Sequence, residues 1–293
     1  MMKSYVLAAA LFAAAAAPAS AYTPYLKPER FWVTDPSVEV EGSFATEFFT
    51  PSIALGANIT ILNGSGDPIS ADRIAVTPAG STELQAELAR GGTYRISTGE
   101  VRGQVGRIVA QNGSWVAVAD GVELPADAEV RTIQTISVAD TYVTRGTPSR
   151  DSVDQTIGRL VMRPITHPNQ VLAAQGIEVE LQFDGAPMPN AAIVVYGAGE
   201  TDAYQNRVVP TDAAGRAIIT FDAPGQYILV ARRVAEQPAG SAAQLASYMT
   251  TLTLEALDQL YAETQIGEPA EEAQPERRRE RTPARRRVGR PDY

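Results

Sequence analysis

Beyond the first two dozen residues, apolar positions recur at every second residue rather than at a helical period, and turn-forming residues interrupt them at short intervals. Val38-Glu39-Val40-Glu41 places apolar and acidic side chains on opposite faces, as a half-buried strand requires. Residues 58–62 predict a second strand, stopped by Asn63-Gly64-Ser65-Gly66, and residues 73–77 predict a third. Residues 82–88 and 93–97 read as a hairpin about Gly91-Gly92, and residues 105–118 as another turning at Asn112-Gly113. β-Branched residues over 132–144 close this first set.

A polar, turn-rich break follows, Gly146-Thr147-Pro148-Ser149-Arg150-Asp151-Ser152. A second set of short strands is predicted over 160–165, 177–183, 191–196, 217–221, 226–231 and 248–255, with a short helix over 256–264. The two sets echo each other. Leu88-Ala89-Arg90-Gly91-Gly92-Thr93-Tyr94-Arg95-Ile96 has the pattern of Phe221-Asp222-Ala223-Pro224-Gly225-Gln226-Tyr227-Ile228-Leu229. In each, a turn ends in Gly and leads to a Tyr whose hydroxyl can cap a sandwich edge. The pattern predicts an all-β protein of two antiparallel sandwich domains, immunoglobulin-like or transthyretin-like, over 22–146 and 158–264.

The two ends of the chain change this picture. Lys3, an apolar run over 5–17 and Ala19-Ser20-Ala21 have the order of a secretory signal peptide over 1–21, which makes Tyr22 the mature N-terminus. No later stretch reaches the roughly 20 apolar residues of a membrane helix. The tail, 265–293, holds Arg277, Arg278, Arg279, Arg281, Arg285, Arg286, Arg287 and Arg290 among prolines, with almost nothing apolar to bury, so it is expected to be disordered. The formal charge of −9 is therefore concentrated in the body. The arginines suit contact with an anionic envelope surface, or equally a solubilising spacer.

Composition narrows the chemistry. With no cysteine, thiolate metal sites and cysteine nucleophiles are excluded. With one histidine, His167, polyhistidine sites cannot form within a chain. With an exported location expected, periplasmic or otherwise, no nucleic-acid partner is expected.

Four segments carry a family resemblance in their order along the chain. They are Phe31-Trp32-Val33, the Gly-x-Tyr turn, Arg163-Pro164-Ile165-Thr166-His167-Pro168-Asn169, and Thr211-Asp212-Ala213-Ala214-Gly215-Arg216 running on to Tyr227. Together they resemble bacterial exported proteins of the domain-of-unknown-function 4198 family, over about 22–255. The Thr-His-Pro-Asn segment is the most specific piece. The resemblance implies a periplasmic component of nickel or cobalt uptake, with envelope transport components as partners. Members often begin the mature chain with His, whose imidazole and α-amine chelate a metal. Tyr22 stands at that position here, and Glu47-Phe48-Phe49-Thr50-Pro51-Ser52-Ile53 lacks the acid–His pair often found there. Any nickel or cobalt binding is accordingly expected to be weakened.

Two of the candidate residues, His167 and Trp115, have competing readings. His167 is first a loop histidine bonding backbone at the domain junction, and second a metal ligand. Tyr22, Trp115 and Asn169 are candidate ligand or partner contacts, with core packing the competing role for Trp115. No nucleophile sits in a recognisable motif, so the expectation is a non-enzyme: an exported accessory or solute-binding protein linked to transition-metal or metal-complex uptake. The alternative is a structural or adhesive module of the cell envelope.

Overall fold

The computed structural model describes residues 22–111, 113–264 and 266. Residues 1–21, where a signal peptide is expected, and the arginine-rich stretch 267–293, with the expectations placed on them, lie outside the described residues. The described chain is all-β, without a helix. Its first half holds β1 (Thr23–Pro28), β2 (Trp32–Val33), β3 (Ser37–Ala45), β4 (Ile53–Ala54), β5 (Thr60–Leu62), β6 (Pro68–Ile69), β7 (Arg73–Val76), β8 (Thr82–Glu87), β9 (Gly92–Ser97), β10 (Val101–Gln111), β11 (Ser114–Val118) and β12 (Val130–Arg145). The second holds β13 (Leu160–Pro164), β14 (Ile177–Phe183), β15 (Ala186–Pro187), β16 (Ala192–Gly197), β17 (Val208–Pro210), β18 (Arg216–Ile219), β19 (Gly225–Glu236) and β20 (Leu245–Ala256).

These strands form three sheets. One five-stranded sheet runs β1-β3-β8-β7, with β4 beside β3. An eleven-stranded sheet runs β17-β16-β19-β20-β12-β9-β5-β6, with β10 and β2 attached at β12 and β11 beyond β10. The third, four-stranded, has β14 between β13 and the pair β15 and β18. The long sheet therefore passes from one half of the chain to the other through β12 and β20, which pair in parallel from Ile133↔Leu245 to Thr141↔Thr253.

Side-chain alternation on β12 explains how one strand serves both halves. Ala139 and Val143 face a core with Leu26, Val40, Leu84, Leu88, Tyr94 and Ile96, between the first sheet and the long one. Ile136 and Tyr142, of opposite parity, join the core beneath the third sheet, with Ile177, Val179, Leu181, Leu229 and Leu254. A third core covers the other face of β16, β19 and β20, where Tyr25, Ala45 and Phe48 pack on Val194, Tyr196, Ile228, Val230 and Met249. Strands covered on both faces need apolar residues at successive positions, which accounts for the runs Ile193-Val194-Val195-Tyr196 and Ile228-Leu229-Val230-Ala231.

Two sequence expectations are corrected. Residues 82–97 are not a hairpin: β8 pairs with β3 and β7, β9 with β5 and β12. The chain instead arches from one sheet to the other, because Leu84, Ala86 and Leu88 on one side and Tyr94 and Ile96 on the other all face the same core. Nor does 256–264 form a helix. This segment is laid along the body, with Tyr261 stacked on Trp32 at 5.5 Å and Thr264 N–H bonded to Gly146 O at 3.1 Å.

The internal echo has a structural counterpart. Tyr94 OH donates to Arg90 O and Tyr227 OH to Ala223 O, each at 2.8 Å and each four residues back. The preceding glycines, Gly92 at φ 128° and Gly225 at φ 154°, adopt backbone that L residues rarely reach. In both halves of the chain, the units β1–β12 and β13–β20, this turn carries the chain from an outer sheet into the shared one.

Candidate functional site

His167 and Asn169 sit where the two units meet. Pro168 disfavours helical backbone at His167, and a turn closes behind it, with Gln170 N–H donating to His167 O at 2.9 Å. The imidazole points into a polar layer formed by Thr93 of β9, Tyr142 and Thr144 of β12, and the 146–158 segment. His167 is 9% exposed and Asn169 3%.

The hydrogen bonds of this layer fix where each proton lies. Thr144 donates to Asn169 Oδ1 at 2.9 Å, so Thr93 must be the donor in its 2.9 Å contact with Thr144. Asn169 N–H donates to His167 Nδ1 at 3.2 Å, which makes Nδ1 an acceptor and puts the ring proton on Nε2. Nε2–H then donates to Thr93 Oγ1 at 2.9 Å and Ser149 O at 3.2 Å. Asn169 Nδ2 donates to Tyr142 O at 2.9 Å. The imidazole is neutral and has both nitrogens engaged. Burial holds its pKa down to about 4, with the nearby Arg150 guanidinium acting in the same direction and the bond to Ser149 O and the Asp154 carboxylate acting against it.

The 146–158 segment is bonded to both units. Ser149 accepts from Thr93 N–H at 3.0 Å and donates to Gly64 O at 2.8 Å. Ser152 donates to Thr93 O at 2.5 Å, and Ser152 and Val153 are wholly buried. On the other side Arg150 donates to Pro164 O at 2.8 Å and Ile165 O at 3.1 Å. Two residues along β9 from Thr93, Arg95 makes a bidentate pair with Asp140, at 3.0 Å and 2.6 Å, and a further bond to Gln155 O. Both partners are almost fully buried. Burial opposes the Arg95 charge, but Asp140 outweighs it and raises the guanidinium pKa above its ordinary value.

These residues do not fit nickel or cobalt. A metal at His167 would have to displace Asn169 N–H or remove the Nε2 proton, and among the described residues no three His, Cys, Asp or Glu side chains converge on a common point. The structure leaves the other candidates apart. Tyr22 is exposed at the start of β1. Trp115 lies half-buried on β11 with the Arg131 guanidinium 5.5 Å from its ring centre. Two surface depressions, of about 390 and 130 Å3, lie elsewhere: one under the 236–244 turn beside Arg131 and Thr132, the other between Glu29 and Glu39.

Two polar groupings escaped the sequence reading. One is the Arg95–Asp140 pair. The other lies next to Tyr22, where Asp202 Oδ2 accepts from Thr23 Oγ1 and Arg232 Nη2, each at 2.5 Å, and Asp202 Oδ1 from Tyr196 OH at 2.9 Å. Its members are spread from 23 to 232, so no local pattern marks them.

Among known proteins, the family described as "Domain of unknown function (DUF4198)" matches residues 19–235. No curated protein matches the chain. Solved structures with some likeness include the "D0-D1 domain of Intimin", 12% identical, covering 78% of this chain and 96% of that one, TM-score 0.19. A tetra-tandem repeat in the extending region of a large adhesion protein is 14% identical over 80% of this chain and 49% of that one, TM-score 0.21. Tandem Ig repeats of Dlar are 18% identical over 79% and 100%, TM-score 0.18.

Proposed function

The chain belongs to the DUF4198 family, and from that premise we propose that it is an exported β-sandwich protein of the cell envelope that works by presenting surfaces to partners, without catalysis and without a metal at His167. The observation that carries this reading is the closed network at 167–169. The lone imidazole, the residue best suited to metal or acid–base chemistry, has both nitrogens engaged, Nε2 across the junction to Thr93 and Nδ1 within its own turn to Asn169 N–H. Nickel or cobalt uptake, implied by resemblance, would need imidazole ligands, which Tyr22 lacks and which His167 has engaged in other bonds. The signal-peptide order of 1–21 supports export, and the tail arginines supply a means of contact with anionic lipid or polysaccharide.

The test is calorimetric titration of untagged protein beginning at Tyr22 with nickel and cobalt, beside N-terminal sequencing of exported material. The expected results are no tight binding and a sequence starting Tyr22-Thr23-Pro24. Nanomolar affinity would restore the metal reading, and exported protein retaining Met1 would remove the signal peptide. Deleting the tail from Glu268 is expected to weaken salt-sensitive co-sedimentation with anionic vesicles.

A further inference from the structure

The β10–β11 arm stands off the body. Most of β10 is exposed, and it is held only along the first half of β12. β11 closes this end of the long sheet. It pairs with β10 alone, from Arg107↔Val118 to Gln111↔Ser114, and its other edge has no strand partner among the described residues. An unpaired edge is a template for a further strand, and proteins ordinarily block such edges with charge, proline or short length.

The other edges of this protein follow that rule. Among edge strands longer than two residues, β1 carries Pro24 and Pro28, β7 Arg73, β13 Arg163 and Pro164, β17 Pro210, and β18 Arg216. β11, Ser114-Trp115-Val116-Ala117-Val118, carries no proline and no charge.

We propose that β11 is a strand-addition surface for β11 of a second copy of this chain, paired antiparallel about a two-fold axis at Val116. The occupant follows from self-complementarity, which an isologous contact requires. Val116 meets Val116 on the axis, and on either side of it Trp115 of each copy meets Ala117 of the other and Val118 meets Ser114, so the larger side chains flanking the axis face small ones. Cross-strand register extends the Trp115 row. Glu129 and Ala110 lie on its near side, and Ile108 and Arg131 of the second copy lie beyond Ala117. The row is apolar through the axis and ends in opposite charges, so like charges are not brought together. A five-residue strand pair buries much less than the roughly 1,200 Å² of a standard stable interface, so a weak, concentration-dependent dimer is expected. The inference does not depend on export or on the envelope reading.

The cysteine-free sequence gives a clean test. Val116→Cys in protein beginning at Tyr22, under mild oxidation, should yield a disulfide-linked dimer, because directly opposed antiparallel residues bring their Cα atoms to about 4.5–5.5 Å, a span a disulfide bridges. Ile218→Cys, on β18 and more exposed than Val116, should not. Sedimentation of unmodified protein should show reversible dimer formation, which Val116→Lys weakens at least tenfold without changing the melting temperature. If Val116→Lys lowers that temperature, Ser114→Lys takes its place. Three results would overturn the proposal: a monomer at every accessible concentration, equal cross-linking at 116 and 218, or a dimer indifferent to both lysine variants.

Discussion

The His167 network and the β10–β11 arm lie at opposite ends of the same strand, β12, and treat their polar groups in opposite ways. At the C-terminal end, Thr144 and the carbonyl of Tyr142 belong to a buried layer in which hydroxyls, amide and imidazole each have partners. At the N-terminal end, residues 130–137 support an arm whose outer strand leaves backbone groups without strand partners among the described residues. The residue types that suggest chemistry are at the closed end, and an uncharged strand of ordinary residues is at the open one. A side chain's reactivity is set by what surrounds it. A neutral His with both nitrogens bonded is a structural part, whereas an unpaired strand edge retains binding capacity.

The contrast can be broken first at the closed end. Asp140→Ala leaves the Arg95 guanidinium buried without its carboxylate. The expected loss is about 3–5 kcal/mol in denaturant unfolding, the largest effect of any single change considered. Next in size is the pH response of His167. Its folded pKa of about 4 lies below the roughly 6.5 of an unfolded histidine. The unfolded chain therefore takes up the proton first, so stability is full above about pH 6.5 and falls as pH drops toward 4. The fall from this group is up to about 3 kcal/mol. In His167→Gln, urea unfolding followed across that window should lose this component of the pH slope.

Asn169→Ala strips partners from the Thr144 hydroxyl and Tyr142 carbonyl and is expected to cost about 2 kcal/mol. The paired turns sharpen the comparison further. Tyr94→Phe and Tyr227→Phe each remove a hydroxyl bond, about 1 kcal/mol. Tyr94 should be the costlier, because its oxygen also accepts from Arg90 N–H at 3.1 Å and is more deeply buried. The smallest effect belongs to the open end, where Val116→Lys should change unfolding free energy by less than about 0.5 kcal/mol.

Local features were legible in the sequence. Alternation located most strands, and the Gly-x-Tyr echo anticipated two hydroxyl caps because each closes within four residues. Partnerships distant in sequence were not. Gly91-Gly92 looks like a hairpin turn whether the flanking strands pair together or face each other across a core, and only the opposing sheets decide. The parallel β12–β20 pairing joins segments more than a hundred residues apart. The Asp202 cluster and the Arg95–Asp140 pair likewise depend on chain crossings that no spacing records. The Thr-His-Pro-Asn segment was visible as distinctive, but its role rests on Thr93, Thr144 and Ser149, which carry no signature of their own.

Because His167 is the only histidine, its imidazole resonances report the central claim without ambiguity. Nitrogen-detected NMR of protein beginning at Tyr22, recorded across pH and with added nickel, should show a neutral ring protonated at Nε2. It should titrate near pH 4 and remain unshifted and unbroadened by the metal. A ring that titrates near 6.5, or one whose signals vanish at stoichiometric nickel, would contradict the account.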